Sequence, residues 1–140
     1  MNKDTSKIVE ELKECSDFKR FYAENKEYVS DKNLSQCLNE LIEKKGLVRS
    51  DVIKKSQLSE IYAYQIISGV RRPERKKLLA LTVGMGLDLE ETQRLLKVAG
   101  YPELYVKNTF DCIVMFGICK GKSVMDVNEM LYDYGVETIG

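Results

Sequence analysis

Apolar residues recur along this chain at intervals of three and four, and no stretch alternates apolar with polar, so the pattern predicts an all-α protein. The sharpest signal is GLVRSDVIKKSQLSEIYAYQIISGVRRP, from Gly46 to Pro73. It predicts a helix from about Arg49 to Ser56, a tight turn, and a second helix from Glu60 to Ser68. Ser59 stands where an N-cap is needed, because its hydroxyl can accept a backbone N–H of the first turn. Gly69 stands where a helix stops, since glycine takes the left-handed conformation without steric cost. Val52, Ile53, Leu58, Ala63 and Ile66 are spaced to face one shared core. Glu60, Ile61, Tyr64, Gln65 and Ser68 are left pointing outward on the second helix. A pair of this kind presents one helix to a groove, and the DNA major groove is the commonest.

The same pattern extends over the rest of the chain. Residues 6–29 predict one or two amphipathic helices, with Ile8, Leu12 and Cys15 on one stripe and Phe18, Phe21 and Tyr22 on another. The segment SQCLNELIEKKG turns Leu38, Leu41 and Ile42 inward, with Leu34 just before it, and stops at Gly46. Pro73 suits the first turn of a helix reaching about Met85. Asp88 caps LEETQRLLKVA, Glu91 completes a capping box, and Gly100 ends the helix. Residues 78–100 and 113–135 superimpose without a gap at an offset of 35, Gly86 on Gly121, Asp88 on Ser123, Leu96 on Leu131 and Gly100 on Gly135. Either one hairpin was duplicated or two hairpins meet the same physical demands. Residues 109–135 thus predict an αα-hairpin able to stack on the first. Its aromatic and methionine side chains (Tyr105, Tyr132, Tyr134, Met115, Phe116, Met125, Met130, with Tyr101 before it) form its own core, or a dimer interface, or a groove for an effector or partner protein.

Composition narrows the chemistry. No run approaches the roughly 20 apolar residues of a membrane span, and MNKDTSKIVEELKE is too charged for a signal peptide, so a cytoplasmic protein without a membrane partner is expected. Cys15, Cys37, Cys112 and Cys119 form no C-x-x-C pair and there is no histidine, so no metal site is expected and the cysteines read as reduced core residues. No nucleophile stands beside a base and no glycine-rich phosphate loop occurs, so neither an enzyme nor a cofactor is expected. Net charge is zero, but residues 34–77 hold ten Lys/Arg against five Asp/Glu. Residues 1–33 hold seven against eight, and residues 78–140 five against nine. The positive charge coincides with the helix pair, as nucleic-acid binding requires.

Residues 34–100 resemble the phage-repressor (Cro/C1, XRE-type) helix-turn-helix family. The resemblance rests on Gly46-Leu47, Leu58-Ser59, Ala63, Ile66, Ser68-Gly69, Arg71-Arg72-Pro73 and the Gly86–Leu89 segment, matched without insertion. It implies a five-helix repressor-type bundle at residues 34–100, flanked by an N-terminal helical extension (1–33) and the C-terminal αα-hairpin (101–140). It further implies that Glu60–Ser68 is a recognition helix. Three positions depart from the family. Ile42 and Ile67 replace a paired arginine and glutamate, so an apolar contact is expected there. Val48 replaces a Ser/Thr cap, so Ser50 is expected to cap a shortened helix. The outward face of the recognition helix carries no Arg or Lys.

The resulting expectation is a transcriptional regulator that binds double-stranded DNA as a homodimer. Gln65 can pair with adenine, Glu60 can accept from cytosine and Ile61 can touch a thymine methyl. Arg49, Arg71, Arg72 and also Arg75 are expected on phosphates, with Ser59, Tyr64 and Ser68 at the same surface. Tyr62 either reaches the sugar-phosphate backbone or packs on the preceding helix, and Lys54 and Lys55 read as solvated charges. The alternative is an adaptor or antitoxin-like module that keeps the fold and binds protein through Ile61, Tyr62 and Tyr64.

Overall fold

A computed structural model describes residues 5–26 and 33–140 of the chain. Among them are nine α-helices: α1 (Thr5–Glu14), α2 (Phe18–Asn25), α3 (Leu34–Lys44), α4 (Arg49–Ser56), α5 (Glu60–Ser68), α6 (Arg75–Gly84), α7 (Leu89–Val98), α8 (Thr109–Cys119) and α9 (Val124–Asp133). The chain divides into two compact units, Met1–Lys32 and Asn33–Gly140.

In the first unit, Asp17 starts α2 by accepting the Lys19 N–H at 3.1 Å. Phe18 lies with its ring 6.2 Å from Phe21 and 6.0 Å from Tyr22, so the second expected stripe forms an aromatic cluster. Phe21 is buried, whereas Leu12 of the other stripe is half exposed. Residues 27–29 of the expected helix lie outside the described residues.

In the second unit, local chemistry sets most helix ends. Asn33 and Gln36 close a capping box at α3, each side chain meeting the other's backbone N–H at 2.9 Å. Ser59 caps α5 by accepting the Tyr62 N–H, and Gly69 ends it at φ 86°. Asp88 and Glu91 form the expected box at α7. Two expectations shift. The fourth of these segments begins at Arg75 with Glu74 as its N-cap, so Pro73 stands before the helix rather than in its first turn. Ser50 lies inside α4, whose cap position is Val48 in an extended conformation with no side-chain cap bond.

The expected five-helix bundle with two appendages is not the fold. The reason is α6, where every residue from Leu78 to Gly84 is buried. A helix that is apolar all round needs cover on every side. Leu81, with Met85 just beyond the helix, joins a core with Leu38, Ile42, Val52, Ala63, Ile66 and Leu95. Leu78, Leu79, Ala80 and Val83 join a second core with Leu96, Val114, Ile118, Val127 and Leu131. The α8–α9 hairpin therefore covers one side of α6 and is part of the same unit. Ile42 and Ile67, where the resemblance expects a charge pair, are both buried in the first core.

The 35-residue repeat extends further in space than in sequence. Gln93 clamps Leu104, accepting its N–H at 2.6 Å and donating to its carbonyl at 2.9 Å. Asn128, 35 positions on, clamps Ile139 in the same way at 2.7 and 3.0 Å. Both clamped residues are buried in the second core. Equivalent positions of the two hairpins (Leu79 and Val114, Val83 and Ile118, Leu96 and Leu131) meet there, and α6 packs on α9 as α8 packs on α7. The hairpins thus face each other as a local two-fold axis would arrange them.

Cysteine placement corrects one expectation. Only Cys37 is buried, Cys15 is intermediate, and Cys112 and Cys119 are exposed on α8.

Candidate functional site

Three connected features position α5. Its first turn is capped by Ser59 at 3.2 Å. Its last turn, which lacks intrahelical partners for its carbonyls, is held by α3: the Ser35 hydroxyl and the Asn39 amide both donate to the Ile67 carbonyl, at 2.6 and 2.8 Å. Gly69 lets the chain leave at that point, and a Cβ there would stand 3.0 Å from the Ser35 Cβ. The helix is thereby fixed at both ends by bonds other than its own. Ser35 and Asn39 escaped the sequence reading, although two polar residues four apart beside Leu34, Leu38 and Ile42 were the available signal.

On this helix Glu60, Ile61, Tyr64 and Ser68 face solvent, with Ile61 74 % and Tyr64 41 % exposed. Val70, just beyond, is 77 % exposed. Gln65 is half-buried and its side-chain oxygen accepts from Arg71 at 3.3 Å. Tyr62 is half-buried against the first core and reaches the α5–α6 loop, its ring 4.9 Å from the Arg71 guanidinium and its hydroxyl accepting the Glu74 N–H at 3.4 Å.

The four arginines separate into different roles. Arg49 is exposed at the start of α4 and gives one donor to Asn39 at 2.6 Å, leaving others for a ligand. Arg71 is exposed beside the α5 face. Arg72 reaches away from it, donating to the Ala99 carbonyl at the end of α7 at 2.9 Å and to the Tyr101 hydroxyl at 2.8 Å, with Tyr101's ring 4.3 Å below. A cation at a helix C-terminus is stabilising there. Arg75 is turned back onto the protein, bonded twice to Asp111 at 3.0 and 3.1 Å and to the carbonyls of Pro102 and Glu103. Arg49 and Arg71 thus flank α5, while Arg72 and Arg75 fasten the α7–α8 connection. Lys54 and Lys55 are exposed, as expected for solvated charges.

A second concave feature lies in the same unit. An open groove of about 580 Å³ runs between the start of α4, the α6–α7 turn and the α8–α9 turn. Leu47, Val52, Val83 and Val124 line it, with Lys55 and Lys122 among its polar groups. It shares α4 with the helix pair. Comparison with protein-family models, with curated proteins and with solved structures finds no match for this chain.

Proposed function

We propose that the protein is a sequence-specific regulator that binds double-stranded DNA by laying α5 in the major groove, with a second copy placing its own α5 about 34 Å away. The observation that carries this reading is a helix fixed at both ends by side chains of its own turn and of α3, with an outward face engaged by little else and exposed arginines at its flanks. Phosphate contact falls to Arg49 and Arg71. Arg71 in the free protein donates to the Gln65 oxygen that would accept from adenine N6. That oxygen has a second lone pair, so Arg71 can hold Gln65 in place while its remaining donors meet a phosphate, which joins backbone contact and base reading in one pair of side chains.

The test is duplex selection from a randomised pool across a salt series. Wild type should enrich a palindromic site. Arg71→Ala should weaken binding to all sequences and lower the salt slope by about 1, while Gln65→Ala should relax one position at a cost of about 1–3 kcal/mol. A pool left unenriched would overturn the reading. One observation favours a second reading, a protein-binding adaptor or antitoxin-like module: Ile61 and Val70 are the most exposed apolar groups of this surface, and α5 carries no Arg or Lys. Binding through that surface would bury apolar area and be insensitive to salt, which separates it from phosphate contact.

A further inference from the structure

Helix α8 lacks the polar face that a helix at the surface normally carries. Its sequence, TFDCIVMFGIC, contains one charged residue, Asp111, and that carboxylate is buried on Arg75. Another side shows Cys112, Phe116 and Cys119 to solvent, Phe116 at 50 % with the Lys120 ammonium near its ring, 5.8 Å from the centroid. A helix apolar on all sides is ordinarily covered on all sides.

The local two-fold relation between the hairpins identifies which side is bare. At the offset of 35, Phe116 corresponds to Leu81, and Cys119 to Gly84. Leu81 is fully buried beneath α3–α5, and at Gly84 the backbone of α4 comes so near that a Cβ would meet Ser56 N at 2.7 Å. The face that is covered on α6 is therefore the face left open on α8.

We infer that the Cys112–Phe116–Cys119 face of α8 docks on the same face of a second copy, with the two helices antiparallel across a two-fold axis. The stripe is its own complement in that arrangement: with Phe116 near the axis, Cys112 of each chain meets Cys119 of the other. Charge selects the antiparallel sense. Exposed Lys120 and Lys122 outweigh exposed Asp126 at the turn end of the hairpin, whereas exposed Asp133 and Glu137 outweigh exposed Lys107 at its open end. Antiparallel helices bring basic end to acidic end, and parallel ones would bring lysine to lysine. An 11-residue helix is roughly 16 Å long. Two such helices bury less than the ~1,200 Å² of a standard interface, so the dimer belongs to the weak, reversible class. This deepens the dimer of the proposed function. The test uses no nucleic acid, so its failure leaves duplex binding standing and the failure of duplex binding leaves the dimer standing.

Sedimentation of the full chain across a concentration series should show reversible conversion to twice the chain mass, and Phe116→Glu should abolish it while the helical circular dichroism is retained. Phe116→Ser serves if the charged variant loses helix. Diamide then reads the geometry: two thiols give up two protons and two electrons to the diazene, which becomes a hydrazine as the disulfide forms. Wild type should yield covalent dimer. Cys112→Ser alone and Cys119→Ser alone should lose it, and a mixture of the two variants should regain it. A chain that stays monomeric at all concentrations, a Phe116→Glu protein that still dimerises, single variants that cross-link with themselves, or disulfides to Cys15 or Cys37 would each overturn the inference.

Discussion

Asp111 and Gly84 show how much single residues carry in this fold. The Asp111 side chain is 9 % exposed and accepts from two Arg75 nitrogens and from the Tyr105 N–H. Arg75→Met strands that carboxylate, which should cost about 3–5 kcal/mol and lower the urea midpoint accordingly. Adding Asp111→Asn should recover part of the loss, because no charge is then left unpaired. At Gly84 two effects oppose each other. Alanine gains about 1 kcal/mol in helix propensity. Its Cβ, however, would lie 2.7 Å from the Ser56 nitrogen and 2.8 Å from its Cα, both backbone atoms that cannot rotate away. Overpacking of that kind costs about 1–3 kcal/mol or more, so Gly84→Ala should lower the midpoint. The candidate site was legible in part. The outward α5 residues follow from periodicity alone, but Arg71, Arg72 and Arg75 look equivalent in sequence. What sorts them is a set of partners 27 to 36 positions away, at Ala99, Tyr101 and Asp111, which no local pattern reveals.

Helices whose ends are set by local chemistry could be read from the chain. Both α4 and α5 have the expected limits, because Ser59, Gly69 and the apolar spacing act within a few residues. The α7 capping box is a four-residue device and was equally visible. Where the local cue was weak, the reading slipped: Ser50 was expected to cap a helix that begins one residue before it, at Arg49. Val48 adopts the extended conformation of a cap residue, φ −97° and ψ 123°, without an oxygen to offer. Since Val48 is exposed, Val48→Thr should supply that oxygen and stabilise the protein by about 0.5–1 kcal/mol, seen as a raised melting temperature. Ser59→Ala makes the reverse change at α5 and should cost about 1 kcal/mol.

At the scale of the whole molecule, the all-α class was plain, but the way its layers share α6 was not. Periodicity reports which residues are apolar, and it cannot say that LLALTVG has different neighbours on its two sides. A chain ended at Gly100 leaves Leu78, Leu79, Val83 and Leu96 without their cover. Such a chain should aggregate, as light scattering would show, whereas in the full chain the second unit should lose its helix and tyrosine signals in one coincident transition. The facing hairpins also give the connection between them a role. Residues 99–108 join two halves that meet through equivalent positions, as two separate chains would in a small dimer. Tethering replaces a bimolecular encounter with an intramolecular one, at an effective concentration in the millimolar range for a short link. Tyr105, Val106 and Lys107 are exposed on that link, and a single cut after Lys107 would leave every core contact in place. The cut protein's stability should nevertheless become dependent on dilution, because its halves would again have to find each other.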